Sequence, residues 1–165
     1  MIETLRQQGR EPRVLMVEDN EDHAFLTTEA FTETGRKVQL DHVQTGEKCM
    51  AFLRQQPPYE QSLRPDVVLL DIHMPRMNGY EVMQAMMEDP DLRSVPVVVM
   101  STSAASDDVN RMYALGCNAY IVKPRDFEAL ATAIQHLSDH WFGAVLLPQH
   151  NLNSRPVLPC QALAQ

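Results

Sequence analysis

Apolar positions fall into short continuous runs that alternate with stretches of helical spacing. RVLMVE predicts a strand over Arg13–Glu18. Asn20–Thr34 follows with Phe25, Leu26, Ala30 and Phe31 at helical intervals and ends at Gly35, a suitable C-terminal cap. Val38–Val43 alternates apolar and polar, as a strand with one wet face does. Gly46–Gln55 reads as a second helix stopped by Pro57 and Pro58. Asp66–Leu70 (DVVLL) and Val95–Met100 (VPVVVM) carry continuous apolar runs, which suit central strands covered on both faces. Gly79–Glu88, Asp107–Leu115 and Phe127–His140 predict three further helices, and Ala119–Val122 a last strand. Met83, Met86 and Met87 fit an adaptable core better than a cofactor box.

Strands that alternate with helices predict a parallel sheet covered on both sides. The expected fold is a flavodoxin-like (βα)5 three-layer sandwich with strand order 2-1-3-4-5. Ligands in such sheets bind beyond the carboxyl ends of the strands, where strand order reverses.

Composition narrows the function classes. The chain has 165 residues, 44% hydrophobic and 22% charged, with a formal net charge of -8. A negative surface without Lys/Arg clusters excludes a nucleic-acid binder and disfavours docking on an anionic membrane. The polar Met1–Arg13 segment lacks the apolar centre of a signal peptide, and no run is long enough to span a bilayer. Cys49, Cys117 and Cys160 form no C-x-x-C pair, which points to a reducing, cytoplasmic setting.

The strand ends carry the chemistry. Glu18 and Asp19 end the first strand, Asp71 the third, Ser101 the fourth and Lys123 the fifth. Three carboxylates in one crevice repel; two unit charges about 4 Å apart at an effective dielectric near 20 cost roughly 4 kcal/mol. Lys123 offsets one charge, and a hard divalent cation with oxygen ligands, Mg²⁺ above all, offsets the rest. A carboxylate can itself attack phosphorus to give an aspartyl phosphate, a reaction that depends mostly on positioning and charge stabilisation.

The segments VLMVEDN, DVVLLDIHMPRMNGYE, PVVVMSTSA and AYIVKP resemble, in order and interval, the four signature blocks of response-regulator receiver domains. The resemblance covers about residues 13–140. It implies that Asp71 is the phosphoacceptor. It also implies that Asp19, Asp71 and the backbone carbonyl of His73 ligate Mg²⁺, with Mn²⁺ and Ca²⁺ as substitutes, while Glu18 acts through water. Ser101 is then the switch hydroxyl, Lys123 the phosphate-pairing lysine and Tyr120 the aromatic switch, and the Lys123–Pro124 bond is cis. His73 departs from the usual residue two places after the acceptor; its ring is expected to face solvent at the site mouth, which Ser103 also lines.

VEDNEDHAFL, the insertion around Pro57–Pro65, the Ser101–Thr102–Ser103 run and the ending SDHWFGAVLLP are similar to the single-domain regulators that partner phytochrome histidine kinases. That narrower resemblance implies a phytochrome as the kinase and a homodimer. The expected organisation is an extension over residues 1–12, a receiver over 13–140, and a C-terminal extension over 141–165. Within the last, an apolar dimer arm (Trp141, Phe142, Val145, Leu146, Leu147) spans 141–148 and precedes an irregular tail. Output passes through changed contacts with a downstream protein, and the chain is a signalling phosphoacceptor that catalyses only its own phosphorylation and slow dephosphorylation. Competing readings are a degenerate receiver serving as a binding module or phosphate sink, a flavodoxin-like flavin binder, and an aspartyl-phosphate phosphatase. The EDNED loop after the first strand speaks against flavin phosphate, and His73 stands where such phosphatases place a second Asp.

Overall fold

The computed structural model describes residues 10–149. Five parallel strands form one sheet in the order β2-β1-β3-β4-β5, with β1 at Arg13–Val17, β2 at Gln39–Val43, β3 at Val67–Leu70, β4 at Val97–Ser101 and β5 at Ala119–Val122. The helices are α1 (Glu21–Glu33), α2 (Gly46–Leu53), α3 (Gly79–Glu88), α4 (Ser106–Ala114) and α5 (Phe127–Asp139). Strand order and helix count agree with the sequence reading.

Alternation along the strands divides the core in two, because successive side chains of a strand point to opposite faces. Leu15, Val17, Val68, Leu70, Val97 and Val99 pack on one side with Met50, Leu53, Val82, Met83, Met86 and Met112 of α2, α3 and α4. Val14, Val67, Leu69, Val98 and Met100 pack on the other with Ala30 and Phe31 of α1 and Leu130, Ile134 and Leu137 of α5. Each fully buried side chain of this kind is worth about 1.5–3 kcal/mol relative to exposure. The continuous apolar strands are therefore central because they have two faces to bury.

Local chemistry sets the helix starts. Asn20, Thr45 and Asp126 accept from backbone N–H groups as N-caps of α1, α2 and α5, and Asn78 with Glu81 closes a capping box on α3. α4 lacks a side-chain cap and buries only Met112.

Several details refine or depart from the sequence reading. In α1 the buried residues are Ala24, Thr27, Ala30 and Phe31, while Phe25 is 63% and Leu26 38% exposed. The inward stripe runs at intervals of three and four, and Phe25 and Leu26 lie beside it. α2 ends at Leu53, before the prolines: Gln55 turns the chain at φ 53°, and Gln56 N–H reaches back to Ala51 O at 2.9 Å. The cis peptide bond among the described residues is Pro57–Pro58, so Lys123–Pro124 is trans. Both isomers of an X–Pro bond lie close in energy, so local sequence cannot choose between them.

The arm lies largely against its own domain. α5 continues into one π-helical turn, His140–Ala144, and the chain folds back on its own domain. Phe142 and Leu147 are buried in the α1–α5 core, with Trp141 and Val145 packed partly against it; of the five arm residues only Leu146 is exposed, at 76%. Four of the five arm side chains thus find full or partial cover within the chain itself. Arg36 secures the turn by donating to Phe142 O at 3.1 Å.

At the other end of the sheet, Arg10 clasps Asp66 through two hydrogen bonds of 2.8 and 2.6 Å, and Asp66 also accepts from Arg13 N–H. The extension expected over residues 1–12 thus joins the domain by Arg10, and residues 1–9 lie outside the described part. So do Cys160 and nearly all of the irregular tail. Cys49 and Cys117 are buried free thiols.

Candidate functional site

The loops at the carboxyl ends of β1 and β3 bring Glu18, Asp19 and Asp71 together. One oxygen from each carboxylate lies within 4.8 Å of the others. Glu18 and Asp71 are buried and Asp19 is exposed. Parallel pairing of Val17 with Leu70 aligns the two strand ends, so the residues that follow them meet.

Each side chain is held. Asp71 Oδ1 accepts from Ile72 N–H at 2.7 Å. Glu18 Oε1 accepts from Asn20 N–H at 3.1 Å. Lys123 leaves the end of β5 and reaches across β4's end. Its ammonium pairs with Glu18 Oε2 and lies 3.3 Å from Asp71 Oδ2. Burial pushes the Glu18 carboxyl above the usual range, against the pull of Lys123 in the other direction, with Asp71 adding to the rise.

Glycine makes the approach possible. Gly79 starts α3 directly behind Asp71: a Cβ there would meet Asp71 O at 2.5 Å and Ile72 Cα at 2.8 Å. Its N–H donates to Ile72 O at 2.8 Å.

Ser101, at the end of β4, is fully buried and accepts from Ser103 N–H at 3.2 Å. Tyr120 donates its hydroxyl to Ser103 O at 2.8 Å. His73 is exposed, and its ring lies 3.9 Å from Asp108 rather than in the acidic group. The structure therefore unites Glu18, Asp19, Asp71 and Lys123, links Ser101 and Tyr120 through Ser103, and turns the His73 ring toward α4.

Sequence reasoning missed several neighbours. His23, one turn into α1, lies 3.4 Å from the Lys123 ammonium and 3.9 Å from Glu18. His42 bonds Glu18 O at 2.7 Å from β2. Thr27 lines the small cavity beneath Glu18, Asp71 and Lys123. Asp108 takes hydroxyl bonds from Ser103 and Tyr80. His23 stands in the VEDNEDHAFL segment without an assigned role, and His42, Thr27 and Asp108 lie outside the signature segments; a helical reading of α1 that put positions 23 and 27 on the face carrying position 24 was the available signal for two of them.

The donor set fits a hard divalent cation. Three carboxylates face one ammonium, so negative charge is in excess. Oxygen-only donors, one of them open to solvent, suit a cation that keeps part of its water shell.

Comparison with known proteins points the same way. The family model described as response regulator receiver domain matches residues 14–135. Response regulator Rcp1 of Synechocystis sp. is 37% identical over 135 residues, covering 82% of this chain and 92% of the relative. The crystal structure of the phosphorylated cyanobacterial phytochrome response regulator RcpA superposes with a TM-score of 0.81 at 34% identity, covering 85% of this chain and 100% of that one. The Mn²⁺-bound form of Rcp1 superposes with a TM-score of 0.78 at 36% identity, covering 84% and 99%.

Proposed function

The chain belongs to the response regulator receiver family, and from that premise we propose that it takes a phosphoryl group on Asp71 from a histidine kinase, with a phytochrome as the kinase. The observation that carries the assignment is the pocket itself: Asp71 is a buried carboxylate of the acidic group, 3.3 Å from the Lys123 ammonium. Glu18 is also buried and paired with Lys123, and the match to the receiver family, whose acceptor is the carboxylate that follows the third strand, selects Asp71 between the two. Rcp1 and RcpA, the phytochrome-linked relatives, support the choice of kinase.

In the reaction an Asp71 carboxylate oxygen forms the bond to phosphorus as the donor's P–N bond breaks, or the P–O bond of acetyl phosphate. The bonding pair leaves with the imidazole or the acetate. Asp71 needs no base, because a carboxylate is already ionised. Ile72 N–H fixes the carboxylate's rotation through Oδ1. Lys123 is placed to pair with a phosphoryl oxygen, and Ser101 to donate its hydroxyl to another. Glu18 and Asp19, with Asp71 and the His73 carbonyl, would hold Mg²⁺, which Mn²⁺ or Ca²⁺ can replace. That cation supplies neutralisation of the phosphoryl oxygens when bound. Attack of water on the phosphorus, with the Asp71 O–P bond breaking and its electron pair returning to the carboxylate, releases inorganic phosphate and gives slow dephosphorylation.

Output passes through altered contacts. The Tyr120–Ser103 link joins the site to the α4–β5 face, where Tyr113 is 49% and Val122 44% exposed. With Leu146 these are apolar groups open to a second copy of the chain, which supports a homodimer. No helix among the described residues is long and apolar enough to cross a membrane, and a cytoplasmic location follows from the kinase partnership.

The test is treatment with acetyl phosphate and Mg²⁺ followed by intact mass. The wild type is expected to gain one phosphoryl group, and Asp71→Asn and a chelator-treated sample none. Equal labelling of Asp71→Asn would overturn the assignment.

A further inference from the structure

Ser103 is gripped at every polar atom. Its N–H donates to Ser101 Oγ at 3.2 Å, and its carbonyl accepts from Tyr120. Its hydroxyl donates to Asp108 and accepts from Ala105 N–H at 3.3 Å. Asp108, in the first turn of α4, accepts on its other oxygen from the Tyr80 hydroxyl of α3. One turn further on, Arg111 lies over the Tyr80 ring, 3.8 Å from its centre. One carboxylate thus ties α3, α4 and the β4–α4 segment together.

That tie matters because little else holds the segment. Thr102, Ala104 and Ala105 are exposed, and α4 itself has no side-chain cap and one buried residue. Where few apolar groups are buried, hydrogen bonds decide the local conformation. The Asp108 bonds are of the stronger, charge-assisted kind: the two hydroxyl donors hold its carboxyl below the usual range. Ser101, accepting from Ser103 N–H, keeps its own proton for another acceptor. The direction of that proton follows the position of Ser103.

We propose that Asp108 is a positioning residue for phosphoryl transfer: by gripping the Ser103 hydroxyl it fixes the Ser101–Ser103 turn and aims the Ser101 hydroxyl at the group carried by Asp71. The proposal rests on Asp71 as phosphoacceptor. Asp108 touches neither phosphorus nor metal in this scheme; it acts through Ser103 and Ser101.

The experiment follows acetyl phosphate labelling by intact mass, with Mg²⁺ affinity measured in parallel, for the full chain and for Asp108→Asn, Ser103→Ala and Ser101→Ala. Asp108→Asn is expected to slow labelling by about tenfold, less than the roughly 100-fold of losing a transition-state donor outright. Mg²⁺ affinity stays at the wild-type value, and Ser103→Ala reproduces the slowing. In a Ser101→Ala background Asp108→Asn adds nothing, since its route of action is gone. Ser103→Ala removes one hydroxyl from a loop, so it serves even if Asp108→Asn fails to fold. Labelling of both variants at the wild-type rate overturns the proposal, as does an undiminished Asp108→Asn effect in the Ser101→Ala background. A wild type that gains no phosphoryl group brings down the Asp71 reading itself, and the two failures are told apart by that control.

Discussion

Lys123 sets its ammonium nitrogen 3.3 Å from Asp71 Oδ2 while it pairs with Glu18 on the other side. It is the cation between two buried carboxylates, and it also lies where a phosphoryl oxygen on Asp71 would need a partner. Lys123→Met removes that partner and leaves Glu18 and Asp71 to repel. Labelling by acetyl phosphate should fall by about 100-fold, the usual scale for losing a charge-stabilising donor. Lys123→Arg restores the charge with a wider head and should recover part of the rate. Quenched time points read by intact mass decide it; a Lys123→Met rate equal to wild type would refute the role.

The Glu18 carboxyl gives a pH prediction for the metal-free protein. Its value is raised by burial in the folded state, so the folded protein holds a proton that the unfolded chain has already released. Stability then falls as pH rises from the ordinary glutamate range through the raised folded value, and the loss is complete above it. Thermal melts in chelator should show this decline, and Glu18→Gln should flatten it. A saturating divalent cation binds only the folded site and opposes the loss; at 100 times its Kd it adds about 2.7 kcal/mol. An identical metal-free slope in Glu18→Gln would assign the pH dependence elsewhere.

Both predictions rest on groups that the sequence exposed, and the reason is physical. Strand-end residues of a parallel sheet share one edge whatever their separation along the chain, so Glu18, Asp19, Asp71, Ser101 and Lys123 could be grouped once the strands were read. The strands were readable because β3 and β4 are apolar on both faces and α3 carries its own capping box. Contacts that depend on side-chain reach were not readable. Asp108 lies one turn into a polar helix and looks like an acid placed for the helix dipole; only the fold puts Tyr80 and Ser103 beside it. The apolar run Trp141–Leu147 showed that it needed cover but not which surface would cover it.

Gly79 predicts a sharp steric limit. A methyl group there would sit 2.5 Å from Asp71 O, a backbone atom that cannot rotate away. Gly79→Ala should destabilise the fold by about 3 kcal/mol, the upper end for overpacking. It should also displace Asp71 and lower labelling. Chemical denaturation with intact-mass labelling tests both, and a fully stable, fully labelled Gly79→Ala would show that the loop yields at little cost.

The Arg10–Asp66 clasp predicts that residues before β1 stabilise the domain. Asp66 is fully buried, and Arg10 is its cationic partner. Arg10→Ala leaves a buried charge answered only by Arg13 N–H. The expected loss is about 3 kcal/mol, as for breaking other buried pairs from one side. Replacing both residues, Arg10→Ala with Asp66→Asn, should cost less than Arg10→Ala alone because no unpaired charge remains. Denaturant midpoints of the wild type and the two variants give the comparison.

The C-terminal turn separates folding from assembly. Phe142 is 1% exposed within its own domain and Leu146 is 76% exposed. Phe142→Ala should therefore destabilise the monomer by about 3–5 kcal/mol through the cavity it leaves. Leu146→Asp removes an exposed apolar group without touching that core, so the melting temperature of the folded chain should hold. If Leu146 contributes to a homodimer, the aspartate places like charges at a two-fold contact and shifts sedimentation toward monomer at micromolar concentration. Truncation after Asp139 would remove both residues together and confuse the two effects. The pair of point variants keeps them apart: a Leu146→Asp protein that still sediments as the wild type excludes this surface from the dimer, whatever Phe142→Ala does to stability.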